Sequence, residues 1–315
     1  MIDRDYVSKE AALAMLDSVR TFGTGYFLRE LSENTGLLGI LHKALPEVWE
    51  KVFCLACYLM TTNKPVMYCE DWVSSNAGFN AGSMASQRIS ELLMAFGSEQ
   101  RNHFYELWYS FIREREYIAP DMTSESSYSE NIAAVKWGYN RDGEKLPQAN
   151  ICMLFGDDSR LPVYQTIYSG SLRDVSTLKG TISEFSALTG GNDIMITTNK
   201  VFFSAKNVDM LLSKTKGKAP YRFLKAVPFT SKFAKDLVES ERKDIDNYHN
   251  TIRTSGTPIR GICKLRTWGG SVKLNAHVFF DPEKATKAKN ELFQKVMDLE
   301  QEAIKGCSHK IESHQ

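Results

Sequence analysis

Two positions carry the residue types with which this chain could handle a metal ion. Asp121 stands in YIAPDMTSESSYSE and Asn199 in DIMITTNKVFFSAKN. REYIAPD reads as a strand ending at Asp121, and Asp193 to Thr198 as a strand ending just before Asn199. A carboxylate and an amide carbonyl at strand ends are hard oxygen donors suited to Mg²⁺ or Mn²⁺. Taken alone, a single Asp at a strand end serves a turn or a cap more often than a metal. Asp174 presents the same choice between the sheet edge and a helix N-cap.

Other chemistry-bearing residues are scattered. His42, His103, His249, His277, His309 and His314 show no ligand spacing. Cys54 and Cys57 have CxxC spacing but lie within VFCLACYLM, where an apolar helix face accounts for both. Cys69, Cys152, Cys263 and Cys307 read as structural, and the whole set fits a reducing compartment better than a disulfide framework. Arg141 and Lys145 flank a predicted turn and suit either solvent or a DNA phosphate. Trp137 and Trp268 read as core or hairpin packing.

At 315 residues the chain can bury a substantial core, divided among two or three structural units. Its longest apolar run, Val52 to Met60, is far short of the roughly 20 residues that a bilayer span requires. Asp3, Arg4, Asp5, Lys9 and Glu10 precede any apolar segment, unlike a signal peptide, so a cytoplasmic protein without membrane contact is expected. The net charge of +1 conceals an asymmetry: residues 1–199 hold 17 Lys and Arg against 25 Asp and Glu, and residues 200–315 hold 22 against 13. A basic last third suits a polyanionic partner, because Lys and Arg displace counterions from phosphate backbones.

The pattern from Lys9 to about Glu114 is helical. Ala12, Leu13, Leu16 and Val19 recur at helical spacing, as do Ile89, Leu92, Leu93 and Phe96. Gly97 can end that segment and Ser98 can cap the next, whose Phe104, Leu107, Trp108 and Phe111 form one stripe. From about Arg115 the character changes. AAVKWGYNRDGEKLPQANICMLFG reads as two strands about a turn containing Asn140, Asp142 and Gly143, and LPVYQTIYSGS as a further extended run. Asp174 to Leu188 is predicted helical, as is Ala205 to Ser213, and YRFLKAVPF supplies a last strand. The order describes a mixed-sheet α/β domain. Beyond Phe229 come a charged helix and a hairpin made from GICKLRT and SVKLNAHVFF. A final helix follows, opened by Asp281 and Pro282, with Leu292, Val296 and Leu299 as its apolar stripe.

The run from Ser129 to Thr177, with NKVFFSAKN, resembles the core of DDE-type insertion-sequence transposases in the branch where a β-rich insertion interrupts a ribonuclease-H-like fold. The resemblance implies a helical N-terminal domain over residues 1–114, a ribonuclease-H-like catalytic core over 115–229 and a partial insertion domain over 230–315. In such proteins a first acid lies in a motif like DxTSxSSYS, which falls on Asp121. A second lies in a motif like D-[KR]-G-F-x-S, which falls on Asn199, with Lys200, Phe202, Phe203 and Ser204 matching. Asn199 thus replaces an aspartate and Val201 a glycine. The third acid, a glutamate on a helix beyond the insertion, has no matching position; Glu241, Glu300 and Glu302 lie within or beside the insertion. The resemblance further implies Mg²⁺ or Mn²⁺ at Asp121 and Asn199, double-stranded DNA of transposon ends as partner, a homo-oligomer and no nucleotide cofactor. A truncated copy that retains DNA affinity and lacks cleavage and strand transfer is the expectation. The alternative is a regulatory, DNA-binding remnant.

Overall fold

The computed structural model describes residue 8 and residues 14–15, 18–113, 117–140, 143–190, 195–213 and 221–304. The chain is of mixed helix and sheet and divides into two compact units, residues 1–225 and 226–315. Ala12, Leu13, Leu16, Glu114, Arg115, Asp142 and Asp193, all used in the sequence reading, lie outside the described residues.

The described residues of the first unit include six α-helices: α1 (Gly23–Asn34), α2 (Leu37–Ala44), α3 (Trp49–Thr61), α4 (Cys69–Ser75), α5 (Ser86–Ala95) and α6 (Ser98–Ile112). Leu28, Leu38, Leu41, Leu45 and Phe53 form one core among them, and Tyr58, Met84 and Ile89 belong to a second. Between α1 and α2, Gly36 adopts φ 75°, and the Phe111 ring occupies the space that a Cβ there would need. The start of α6 departs from expectation. Gly97 sits at the cap position, its N–H donating to Gln100 Oε1 at 3.1 Å, and Ser98 is the first helical residue. A side chain reaching back from the first turn replaces the serine cap.

Helix α6 joins helices to sheet because two of its faces are apolar. Phe104 and Leu107 pack on the helical core, whereas Tyr105, Tyr109 and Ile112 pack with Ile118, Leu154, Val163, Tyr164 and Phe185. Trp108 Nε1 donates to the Pro162 carbonyl at 2.8 Å, satisfying the one polar atom of a buried ring.

The sheet contains β1 (Tyr117–Ser126), β2 (Gln148–Gly156), β3 (Pro162–Ser169), β4 (Met195–Thr198) and β5 (Arg222–Lys225), in the order β3-β2-β1-β4-β5. β1, β2 and β3 are antiparallel neighbours, whereas β4 runs parallel to both β1 and β5. Helices α7 (Asp174–Leu188) and α8 (Ala205–Leu212) supply the crossovers. Leu178 and Ile182 of α7 and Leu211 of α8 pack on Met122, Cys152, Ile196 and Phe202. Each such aliphatic side chain contributes roughly 1.5–3 kcal/mol of burial.

Two strand expectations are corrected. β1 does not end at Asp121: it continues to Ser126, because β2 pairs with it antiparallel from Ile118↔Gly156 to Ser126↔Gln148. The segment before β2 does not form a strand. Among the described residues its one ladder-type bridge is Lys136 to Gln148, and it otherwise follows a loop in which Gly138 lies against the Gly170 carbonyl, leaving no room for a side chain.

In the second unit β6 (Thr251–Ile252), β7 (Ile259–Trp268) and β8 (Val272–Phe280) form a sheet of that order. Helix α9 (Lys232–Glu241) packs on it through Leu237 against Ile262, Ala276 and Val278. Glu241 is buried and accepts from Arg266 at 2.6 Å and Lys264 at 3.2 Å. Burial alone would raise its pKa; the Lys264 and Ser240 hydrogen bonds and the Arg266 contact outweigh that and hold it low. Glu241 therefore braces helix to hairpin. The last helix, α10 (Pro282–Ile304), begins as expected, with Asp281 Oδ1 accepting from the N–H groups of Glu283 and Lys284, each at 3.1 Å. Among the described residues, no helix is long and apolar enough to cross a membrane.

Candidate metal centre

Register along the parallel pair decides whether the two sequence-predicted residues can meet. β1 pairs with β4 at Tyr117↔Met195 and Ile118↔Ile196. The pairing ends there; the same offset, continued three residues, would set Asp121 level with Asn199, the residue immediately after β4. Alternation along β1 buries Ile118, Pro120, Met122 and Ser124 and leaves Asp121, Thr123 and Glu125 exposed. Glu125, four residues on, is about 13 Å farther along the strand at 3.3 Å per residue, too far to share an ion with Asp121. On the Asp121 face the neighbouring strands present half-buried Ile151, Met153 and Phe155 and exposed Ile167 and Leu224.

The oxygens of the pair are partly committed. Asp121 Oδ1 accepts from the Met122 N–H at 2.9 Å, leaving its second oxygen for another donor or a cation. Asn199, extended at φ −72° and ψ 175°, caps the single turn Lys200–Phe202 by accepting from the Val201 N–H at 3.1 Å. That bond fixes the amide orientation, since only the oxygen can accept. The other terminal atom of Asn199 is then an NH₂ donor where an aspartate would present a second, anionic oxygen. The turn leads to fully buried Phe202, and Ser204 Oγ accepts from the Asn207 N–H to start α8. Buried Asn207 donates to the carbonyls of Val175 and Phe202 at 2.7 and 2.8 Å, tying this segment to α7. Losing that side chain would strand two buried acceptors, at about 1–3 kcal/mol each.

The remaining candidates stand apart from this edge or are structural. Asp174 is not an N-cap: Arg173 holds that position, and Asp174 is the first residue of α7, where its charge suits the helix dipole. Lys145 is exposed, and Arg141, Cys307, His309 and His314 lie outside the described residues. Cys54, Cys57 and Cys69 are buried in the helical core, and burial pushes their thiols up to about 12, 11 and 11, which disfavours the thiolate that metal or redox chemistry requires. Trp268 meets Phe233 edge-on, as hairpin packing requires, whereas Trp137 is 66% exposed on the loop before β2 and is not core. Among the described residues no group of three or more His, Cys, Asp or Glu side chains is placed to hold a metal.

Lys225 escaped the sequence reading. It ends β5 opposite Thr198, and its Nζ donates to Thr198 Oγ1 at 2.8 Å. Burial pulls its pKa down to about 8. The alternation of YRFLK was the available signal, because it puts Lys225 on the same side as Phe223, which packs on the core.

The unit boundary also relocates the positive charge. Residues 200–225 carry net +6, and residues 226–315 only +3. Most of the excess expected of the last third therefore belongs to the first unit and follows directly on Asn199. Lys200, Lys206 and Arg222 there are exposed, and Lys214, Lys216 and Lys218 lie outside the described residues.

No protein-family model matches the chain, and no curated protein matches it in sequence. Among solved structures, it is similar to a piggyBac transposase in a synaptic complex with hairpin DNA, at 11% identity over 80% of this chain and 51% of that one, with a TM-score of 0.34. It is also similar to the Mos1 mariner paired end complex with Mn, at 11% identity over 62% of this chain and 67% of that one, with a TM-score of 0.24. The chain spans about half the length of the piggyBac chain it matches. Neither likeness defines a family for it.

The Lys225 environment sets a pH dependence. With a folded pKa near 8 against an ordinary 10.5, its protonated form is penalised in the folded state below about pH 8, and the penalty is relieved as pH rises toward 10.5. Denaturant midpoints measured from pH 7 to 10.5 should show Lys225→Met more stable than the parent at pH 7, with that advantage shrinking as pH rises. An advantage independent of pH would contradict the assignment.

Proposed function

We propose that this chain is a DDE-transposase-like DNA-binding protein whose metal centre has lost the charge needed to hold a pair of catalytic cations. What supports the reading is the observed register of β1 and β4, which, continued three residues past its last pair, sets Asp121 level with Asn199; one position offers a carboxylate and the other an amide already engaged in a turn. The strand order β3-β2-β1-β4-β5, with two antiparallel and two parallel pairings, supports a ribonuclease-H-like core.

Two divalent ions about 4 Å apart repel strongly, and only bridging anionic oxygens offset that repulsion. The donor set here does not fit such a pair. Asp121 brings one negative charge, and Asn199 brings none. At an effective dielectric near 20, removing a unit charge beside a dication costs several kcal/mol, which is orders of magnitude in occupancy. No cleavage or strand-transfer step is therefore assigned to this site. Val201, where the resembled motif has glycine, is half exposed and donates its N–H to Asn199. It is a second departure in the same turn.

Affinity for duplex DNA rests on a different feature, the basic segment after Asn199. Phosphate binding there needs no metal and no specific base contact.

Two measurements test the parts separately. In Mn²⁺ titrations followed by electron paramagnetic resonance, the parent protein should show no tight paired sites. Asn199→Asp should tighten Mn²⁺ binding at least about tenfold, one added carboxylate being worth more than 1.4 kcal/mol there, and adding Asp121→Asn should remove the gain. Cooperative paired binding by the parent protein would overturn the metal argument. Separately, the affinity for duplex DNA should fall steeply with salt, and Lys200→Ala and Lys206→Ala should each reduce the slope of log K against log salt by about one. A flat salt dependence would remove the DNA reading.

A further inference from the structure

Helix α10 buries none of its residues, although its sequence is strongly two-faced. Ala285, Ala288, Leu292, Val296, Leu299 and Ala303 recur at spacings of three and four that repeat every 11 residues, so they share one side of a nearly straight helix. Phe293, Met297 and Ile304 widen the stripe. Leu292 is 59% exposed, Phe293 54% and Met297 53%. The opposite side carries Lys287, Glu291, Gln294, Asp298 and Gln301, and Lys284, Lys289, Glu300 and Glu302 flank the stripe. A 23-residue helix of this kind draws most of its stability from packing its apolar side, and the described residues of its own unit do not supply that packing.

Charge along α10 is segregated. Residues 282–295 hold four Lys against two Glu, and residues 296–304 hold Asp298, Glu300 and Glu302 with no base. Some of these charges are matched within the helix: Lys287 reaches Glu291 at 4.0 Å and Lys284 reaches Asp281 at 3.5 Å. Lys289 lies over the Phe293 ring at 5.5 Å. The acidic end has no such basic neighbour within α10.

We infer that α10 is a self-association surface, pairing antiparallel with α10 of a second copy of this chain. The apolar stripe is centred on residue 294, so an antiparallel pair about a two-fold axis there sets Leu292 beside Val296 of the second copy, and Ala285 beside its Ala303. The basic half of each helix then runs along the acidic half of the other, with Lys284 near Glu302 of the second copy and Lys289 near its Glu300. A parallel pair would align like charges over the whole length. The two-fold arrangement is isologous and closes as a dimer.

Sedimentation velocity on the full chain at micromolar concentrations tests this. A dimer is expected at low salt, weakening as salt rises, since the complementary charges are exposed and screened. Leu292→Lys with Val296→Lys should raise the dimer dissociation constant by about 100-fold or more, because it buries like charges without partners. Both positions are exposed in the single chain, so circular dichroism and the melting temperature of the monomer should change little. Lys284→Glu with Lys289→Glu, and separately Glu300→Lys with Glu302→Lys, should each weaken self-association, and an equimolar mixture of the two variants should restore it to near the parent level. A monomer at low salt and high concentration would overturn the proposal. So would a dimer that survives the Leu292 and Val296 substitutions. A mixture that associates far more tightly than the parent would indicate parallel pairing and also contradict it.

Discussion

The parallel pairing of β1 with β4 is the constraint on which the candidate site rests. It is short, fixed by Tyr117↔Met195 and Ile118↔Ile196, yet it is well buried: Ile118 and Ile196 are 1% and 2% exposed. A slip of one residue would turn the slipped strand's isoleucine toward the opposite face. The packing of α7 and α8 over that face therefore fixes the level of everything beyond the pairing, including Asp121 on one strand and Asn199 after the other. The turn at Asn199 is held in its own right by Phe202, which fills the core, and by Asn207, which bonds back to Val175 and Phe202.

Geometry and charge diverge at this edge. On the proposed reading, an aspartate at position 199 would cap the same turn with one oxygen while presenting the other. Asparagine has the cap without the charge. Relative to aspartate it costs the local structure little and the electrostatics a great deal. The basic residues that follow are not tied to the fate of the metal ligands, because long-range attraction to phosphate depends on net charge and not on ligand geometry.

Much of this was legible in the sequence where one element declares itself. Helix α7 has the bounds that its own periodicity gives, Asp174 to Leu188, and α10 starts at the Asp281-Pro282 signal because cap and first-turn chemistry is local. The β7 and β8 hairpin follows from alternation about two glycines. What the chain did not reveal depends on partners distant in sequence. β1 outruns Asp121 because β2 supplies an antiparallel neighbour, whereas on its other side the pairing with β4 stops earlier; a single strand pattern cannot show two different ends. The loop before β2 alternates like a strand, but Gly138 and Gly170 bring backbones too close for regular pairing. The burial of Lys225 depends on β4 beside it, which YRFLK alone does not show. The stripe of α10 was legible as apolar, but sequence could not say that its own unit leaves it uncovered.

The most direct measurement is of register. With Cys263→Ser removing the exposed native thiol, Asp121→Cys and Asn199→Cys should form a disulfide on mild oxidation, because same-level positions on neighbouring strands lie about 5 Å apart, within the Cα range a disulfide spans. Mass spectrometry of the peptides should identify the 121–199 link. Failure of that pair to cross-link, together with efficient linking of Thr123→Cys to Asn199→Cys, would place the strands in another register and contradict the account.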